Sequence, residues 1–166
     1  MQRGKTAAVL LLLVAVTLMR PGSIWGDATP AIEKRFASLL EQARSIGDKE
    51  EQTQSIAGIG KLMCQSFPKE PGIRVLQEAL TLSRAIVPPL ARSMQQYWIA
   101  VSLAGECGEI QEATRIARGI EDVNQRVNAL QAIEKIQKRQ RKRALRRCGP
   151  KRMRCDGRWS RNRRSS

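Results

Sequence analysis

The chain has 166 residues, 30 of them Lys or Arg against 15 Asp or Glu, with four cysteines, no histidine and a net charge of +15. The missing histidine removes the commonest general base and the commonest metal ligand, which argues against the familiar hydrolase and zinc-site chemistries. The positive charge is not spread evenly, and its distribution divides the chain.

Arg3 and Lys5 precede an uncharged run of 14 residues, TAAVLLLLVAVTLM (6–19), which ends at Arg20, Pro21 and Gly22. That length suits the apolar centre of a secretory signal and falls short of the roughly 20 residues a spanning helix needs. Residues 1–28 are therefore read as a signal peptide, cut after Ala28 or, in competition, after Gly26. An uncleaved anchor is the alternative. Export to the periplasm or the medium follows from the first reading.

Residues 29–137 carry 13 basic and 13 acidic side chains and form a neutral body. Apolar residues recur at three- and four-residue steps throughout it, the period of a helix, and no alternating strand pattern competes. The spacing predicts three helical hairpins at about 31–64, 73–105 and 109–137. In the first, Leu39, Ile46, Gln52 and Ile59 mark positions that recur 40 residues later as Ala79, Ile86, Arg92 and Ile99. They recur again after 34 as Ala113, Ile120, Arg126 and Ile133. Asp48 and Asp122 are placed to cap the second helix of their hairpins, with Glu51 and Gln125 three residues on. Pro88-Pro89 fills the same turn in the middle copy, where proline cannot continue a helix but can open one. The six extra residues of the longer period are expected in a break at 66–72. Met94–Val101 and the run Val127, Leu130, Ile133, Ile136 are read as packed stripes. A period of 34 is that of stacked helix-turn-helix arrays, and a non-repetitive bundle is the competing fold.

The residues Ile99-Ala100, Ala104, Gly108-Glu109, Ala113, Ile116-Ala117, Ile120, Asp122, Arg126, Ala129-Leu130 and Ile133 resemble the IA…A…GD…A..IA..I.D…R..AL..I pattern of bacterial tetratricopeptide-like helical repeats. The early Trp and the Leu-Gly pair of the standard consensus are missing. The resemblance implies an all-α fold of three stacked hairpins in a solenoid, used as a scaffold or peptide-binding surface. It implies no catalytic residue.

Catalytic motifs are absent from the sequence itself. Gly58-Ile59-Gly60-Lys61 lacks the loop length and the preceding strand of a phosphate-binding loop, and reads as close helix packing. Glu50-Glu51, Glu106 with Glu109, and Glu121-Asp122 read as solvated acids at helix starts or turns. Cys64 and Cys107 have no imidazole to activate them and read as buried small residues or disulfide partners. Cys148 and Cys155 flank Gly149-Pro150, so a local disulfide competes with free thiols, and the spacing disfavours zinc. Tyr97-Trp98 is either packing between hairpins or, since neighbours on a helix point about 100° apart, a partner-contact spot with one ring exposed.

Residues 138–166 carry 14 basic side chains and one acid. Arg139, Arg141, Lys142 and Arg143 continue the last helix, and Arg146 and Arg147 follow. Lys151, Arg152, Arg154, Arg158, Trp159, Arg161, Arg163 and Arg164 follow the Gly-Pro step. Such charge density builds no core, so this tail is expected to be largely disordered and to bind polyanions through counterion release, with Trp159 able to stack. A solvated tail without a partner is the bland reading. The sequence thus points to an exported, non-enzymatic scaffold for a protein or peptide partner, tethered by its tail, with no cofactor and no small-molecule substrate. The alternative is a polyanion-binding protein whose tail is the active part and whose helices are support.

Overall fold

The computed structural model describes residues 28–66 and 68–148. Residues 1–27 of the leader lie outside them, as do Cys155, Trp159 and the basic residues from Lys151 to Arg164. Six α-helices and one π-helical turn make up the described elements, with no strand among the described residues. The chain divides into two units, one ending at Arg35 and the other beginning at Phe36. Of the first unit, the opening turns of α1 (Ala28–Arg44) are described. The second holds the remainder of α1, then α2 (Lys49–Gln65), α3 (Glu70–Ser83), α4 (Pro89–Ser102), the π turn (Leu103–Cys107), α5 (Ile110–Arg118) and α6 (Val123–Cys148).

The turns between α1 and α2, α3 and α4, and α5 and α6 carry the same backbone hydrogen bonds at equivalent positions. The N–H groups of Ile46, Ile86 and Ile120 donate to the carbonyls of Ala43, Ser83 and Ala117 at 3.3, 3.1 and 3.3 Å. Those of Gln52, Arg92 and Arg126 donate to Asp48, Pro88 and Asp122 at 2.9, 3.0 and 2.9 Å. Asp48 and Asp122 cap as their sequence position suggests, each accepting from an N–H three residues on (Glu51 and Gln125) at 2.8 Å. Where Pro88 stands instead, Pro89 opens α4. Gln52 and Arg126 have a shared task as well. Each reaches back to a backbone carbonyl ahead of its own helix, Gln52 to Arg44 at the end of α1 at 2.6 Å and Arg126 to Ile120 in the turn after α5 at 3.3 Å, and gives that acceptor a partner.

The core runs through these pairs. Ile56, Leu76, Ile99, Leu103 and Ile120 are all but sealed from solvent, and full burial of such side chains is worth about 1.5–3 kcal/mol each. The closest packing joins α2 to α3, and glycine makes it possible. A Cβ on Gly72 would stand 2.6 Å from the Cys64 nitrogen and 2.8 Å from the Gly60 carbonyl oxygen; one on Gly60 would stand 2.9 Å from Leu76 Cγ. Gly58, by contrast, faces open space, so the packing role expected of the glycine pair belongs to Gly60. The expected break at 66–72 is shorter than read. Helix α3 already begins at Glu70, with Pro71 in its first turn where the missing N–H costs nothing. The extra residues thus lengthen α3 to 14 residues, against nine in α5.

The end of α2 is bonded to the end of the π turn. Cys64 and Cys107 form a disulfide with Cα atoms 5.0 Å apart, both residues buried. Lys69 Nζ donates to the Cys107 carbonyl at 3.2 Å. Gly108 then ends the turn at φ 83°, a left-handed conformation that glycine adopts without penalty, while the Glu109 N–H closes onto the Leu103 carbonyl at 2.9 Å.

Candidate binding groove

Helix α4 has one face in the core and one in solvent. Leu90, Met94 and Trp98, four residues apart, remain 56%, 44% and 56% exposed, and Val101 follows on the same side of the helix. The Met94–Val101 stripe is therefore not the packed seam that the sequence suggested. Tyr97 and Trp98 separate as adjacent helical residues must. Tyr97 packs against the core, and Trp98 stands out, its ring edge-on to Tyr97 with centroids 5.0 Å apart.

Trp98 lies between two grooves. The larger, about 370 Å³, is walled by Lys61 of α2, Trp98 and Val101 of α4, Glu106 of the π turn, and Ile136, Arg139 and Arg143 of α6. The other, about 280 Å³, takes Gln54, Ala57, Gly58 and Gln95 and shares Lys61, Trp98 and Ser102 with the first. The open side of Gly58 thus lines a groove.

The basic segment begins inside this site. Helix α6 does not stop at 137 but runs unbroken through Cys148. Ala129 and Ile133 are buried, and Ile136 packs against the core. Gln140, four residues on from Ile136, donates to the Ala104 carbonyl at 3.2 Å. Arg139 and Arg143 sit on that same side of α6, which brings them to the groove facing Trp98. Arg141, Lys142 and Arg146 are exposed on the same helix, and Arg147 and Cys148 close it.

The groove's electrostatics are mostly unpaired. Glu106, expected as a solvated acid at a helix start or turn, is less open to water than that reading implies. It lies at the end of the π turn, half-buried, 3.9 Å from Lys61 Nζ and accepting from Gln65 Nε2 at 3.0 Å. Glu121 pairs with Arg92 at 3.5 Å. Arg139 and Arg143 have no ion-pair partner among the described residues. Gln95 is 7% exposed, and its amide has no hydrogen-bond partner among the described residues. The site therefore offers a ring face, two free guanidinium forks, an ammonium and one idle amide. These are groups for holding a ligand by stacking and by paired hydrogen bonds to carboxylates or phosphates.

Gln95 was not singled out from sequence, Lys61 was read only within a glycine-rich packing motif and Glu106 only as a solvated acid, and Arg139 and Arg143 were assigned to the tail alone. The spacing of 133, 136, 140 and 143 carried the missing signal, because it prolongs the buried stripe into the basic segment. The Cys64–Cys107 pairing joins residues 43 apart and had no local signature. The Cys148–Cys155 pairing falls outside the described residues. Among the described residues no cluster of acids and cysteines is placed to hold a metal ion, and no helix is long and apolar enough to cross a membrane. Comparisons with protein-family models, curated proteins and solved structures find no match to this chain.

Proposed function

We propose that the chain is an exported, non-enzymatic protein of tetratricopeptide-like helical repeats that holds a protein or peptide partner beside Trp98, and that its basic tail tethers it to an anionic surface. The observation that carries this reading is Trp98 itself. A large aromatic side chain more than half exposed, set between two grooves, is the kind of anchor that supplies most of the energy at protein interfaces. The repeat reading is supported by the three turns with equivalent hydrogen bonds. Export is supported by the apolar leader and by the Cys64–Cys107 disulfide, a bond that persists in oxidising compartments and is rare in reducing ones.

A photo-crosslinking side chain at Met94, which lies one turn from Trp98, tests the reading in cells producing the full chain. One or a few discrete adducts are expected from Met94, and none from the same group at Gln77, which is exposed on α3. Equal or absent labelling at the two positions would overturn it. The second reading, in which the basic segment is the active part, draws on its 14 basic side chains. Deleting residues 138–166 cannot separate the two, because the cut removes one wall of the groove. Replacing the seven basic residues between 151 and 164 by glutamine leaves α6 whole and does separate them. Loss of all binding in that variant would favour the tail.

A further inference from the structure

We infer that the segment held in this groove is an acidic peptide, with Arg139 and Arg143 recognising its carboxylates and Trp98 packing an apolar side chain of it. The inference rests on the binding role proposed above and names the chemistry of the partner. Three cations, Lys61, Arg139 and Arg143, face the larger groove against one carboxylate, Glu106. Glu106 is already held by Gln65 and Lys61, so the two guanidinium groups remain for an incoming anion. Each can grip a carboxylate by two parallel hydrogen bonds. The chain's own residues 149–166 cannot be the occupant on charge grounds, since they bring seven basic side chains and a single acid.

Carboxylates fit the site better than the phosphates of a nucleic acid, and Gln95 is the reason. Its side chain is mostly buried, but its amide opens onto the groove beside the same tryptophan and makes no hydrogen bond among the described residues. An amide offers one donor group and one acceptor, and a peptide backbone returns both, whereas the backbone of a nucleic acid returns phosphate acceptors. The apolar walls at Val101 and Ile136, and the exposed ridge of Leu90 and Met94 leading to Trp98, likewise suit side chains between the acids. The first turns of the basic segment are on this account part of the recognition site, and the polyanion role falls to the residues beyond Cys148.

Fluorescence anisotropy of the full chain tests this. The probe is a fluorescein-labelled 12-residue peptide of glutamates around a central Leu-Phe pair. Binding should weaken at least tenfold with Arg139→Gln/Arg143→Gln and with Trp98→Ala, and severalfold with Gln95→Ala. It should survive replacement of the seven basic residues between 151 and 164, and partly survive Arg139→Lys/Arg143→Lys. The peptide with glutamine for glutamate should lose the same tenfold. Far-UV circular dichroism confirms that each variant is folded. The inference is overturned if the peptide fails to bind, or if binding follows the 151–164 charges alone. It is equally overturned if a 12-nucleotide single strand binds more tightly and loses affinity with Arg139 and Arg143. Self-association in the ultracentrifuge that Trp98→Ala abolishes would put a second copy of the chain in the groove and also overturn it. If discrete Met94 adducts persist while the acidic peptide fails, the binding role stands and only its chemistry is wrong. If both fail, the groove binds nothing.

Discussion

Breaking the Cys64–Cys107 bond should destabilise the helical unit more than any single side-chain change in it. The bond closes a loop across 43 positions, and loop-closure entropy for that length amounts to about 4 kcal/mol at room temperature. Domains of this size have total stabilities of roughly 5–15 kcal/mol and lose about 4–6 °C of melting temperature per kcal/mol. Reduction should therefore lower the midpoint by roughly 15–25 °C. The double substitution Cys64→Ala/Cys107→Ala should cost on the order of 1 kcal/mol more. Its extra cost arises because both residues are buried, at 1% and 4% exposure, and alanine leaves a void where the sulfurs pack. Thermal melts followed by far-UV circular dichroism, with and without a phosphine reductant, give both numbers. They are best run on the full chain in a Cys148→Ser/Cys155→Ser background, so that the loss comes from the one bond. A midpoint that moves by less than about 3 °C on reduction would refute the reasoning. It would mean that α2 and the π turn are held together fully by packing, or that the unfolded chain is as compact without the bond as with it.

Three further perturbations probe the local arguments. Gly72→Ala should cost about 1–3 kcal/mol in urea unfolding, because its Cβ meets backbone atoms that cannot turn aside, whereas Gly58→Ala, in open space on the same helix pair, should be neutral or stabilising by up to ~1 kcal/mol. Asp48→Ala and Asp122→Ala should each lower stability by about 1 kcal/mol as the Glu51 and Gln125 N–H groups lose their acceptor, and asparagine should restore most of it. The bidentate hydrogen bond from Arg44, at 2.8 and 2.7 Å, holds the Glu78 carboxyl below its usual range. A lowered folded-state value means stability that is present at neutral pH and lost as pH falls through it. Glu78→Gln should thus cost at most about 1 kcal/mol at pH 7, less in high salt, and nothing near pH 2, by urea midpoints at each pH.

The helices and their turns were legible because they follow from local rules. Asp48 and Asp122 announce a cap through side-chain chemistry that works within three residues, and Pro89 announces a start through its fixed φ. The spacing of Ala79 with Ala113, Ile86 with Ile120 and Ile99 with Ile133 fixed which face turns inward, and all six are buried. What local rules could not give was how one helix pair meets the next. Gly72 looked like a helix breaker next to Pro71, yet it lies in α3 because the neighbouring helix comes too close for any side chain. The partner of Cys64 depended on the π turn. A single π-helical closure carries Cys107 to the end of α2, and nothing in the letters LAGEC marks it beforehand. Val127 fits the apolar period as well as Ile133 does but stays 44% exposed, since α6 rolls its inward face toward Ala129 and Ile133. Periodicity names a face to within a turn of the helix, and the packing against α4 and α5 selects the rest.

The division between a neutral body and a basic tail is a division of charge and not of structure. Charge counts change sharply at residue 138, and a run of like charges ordinarily marks a chain that cannot fold on itself. Here the run begins on a helix whose inward side is already anchored by Ile133, Ile136 and the hydrogen bond from Gln140 to Ala104. Helix extension from an anchored end adds a backbone hydrogen bond per residue without a new nucleation cost. Arginine and lysine are also good helix formers, so α6 continues past the boundary. Its outward residues then project into solvent, and only those at three- and four-residue steps from Ile136 turn back toward α4. In the sequence, Gly149-Pro150 is the first step after these residues whose backbone chemistry disfavours a helix. The described part of the charged segment is thus a helical wall beside Trp98, with Arg139 and Arg143 on its inward side.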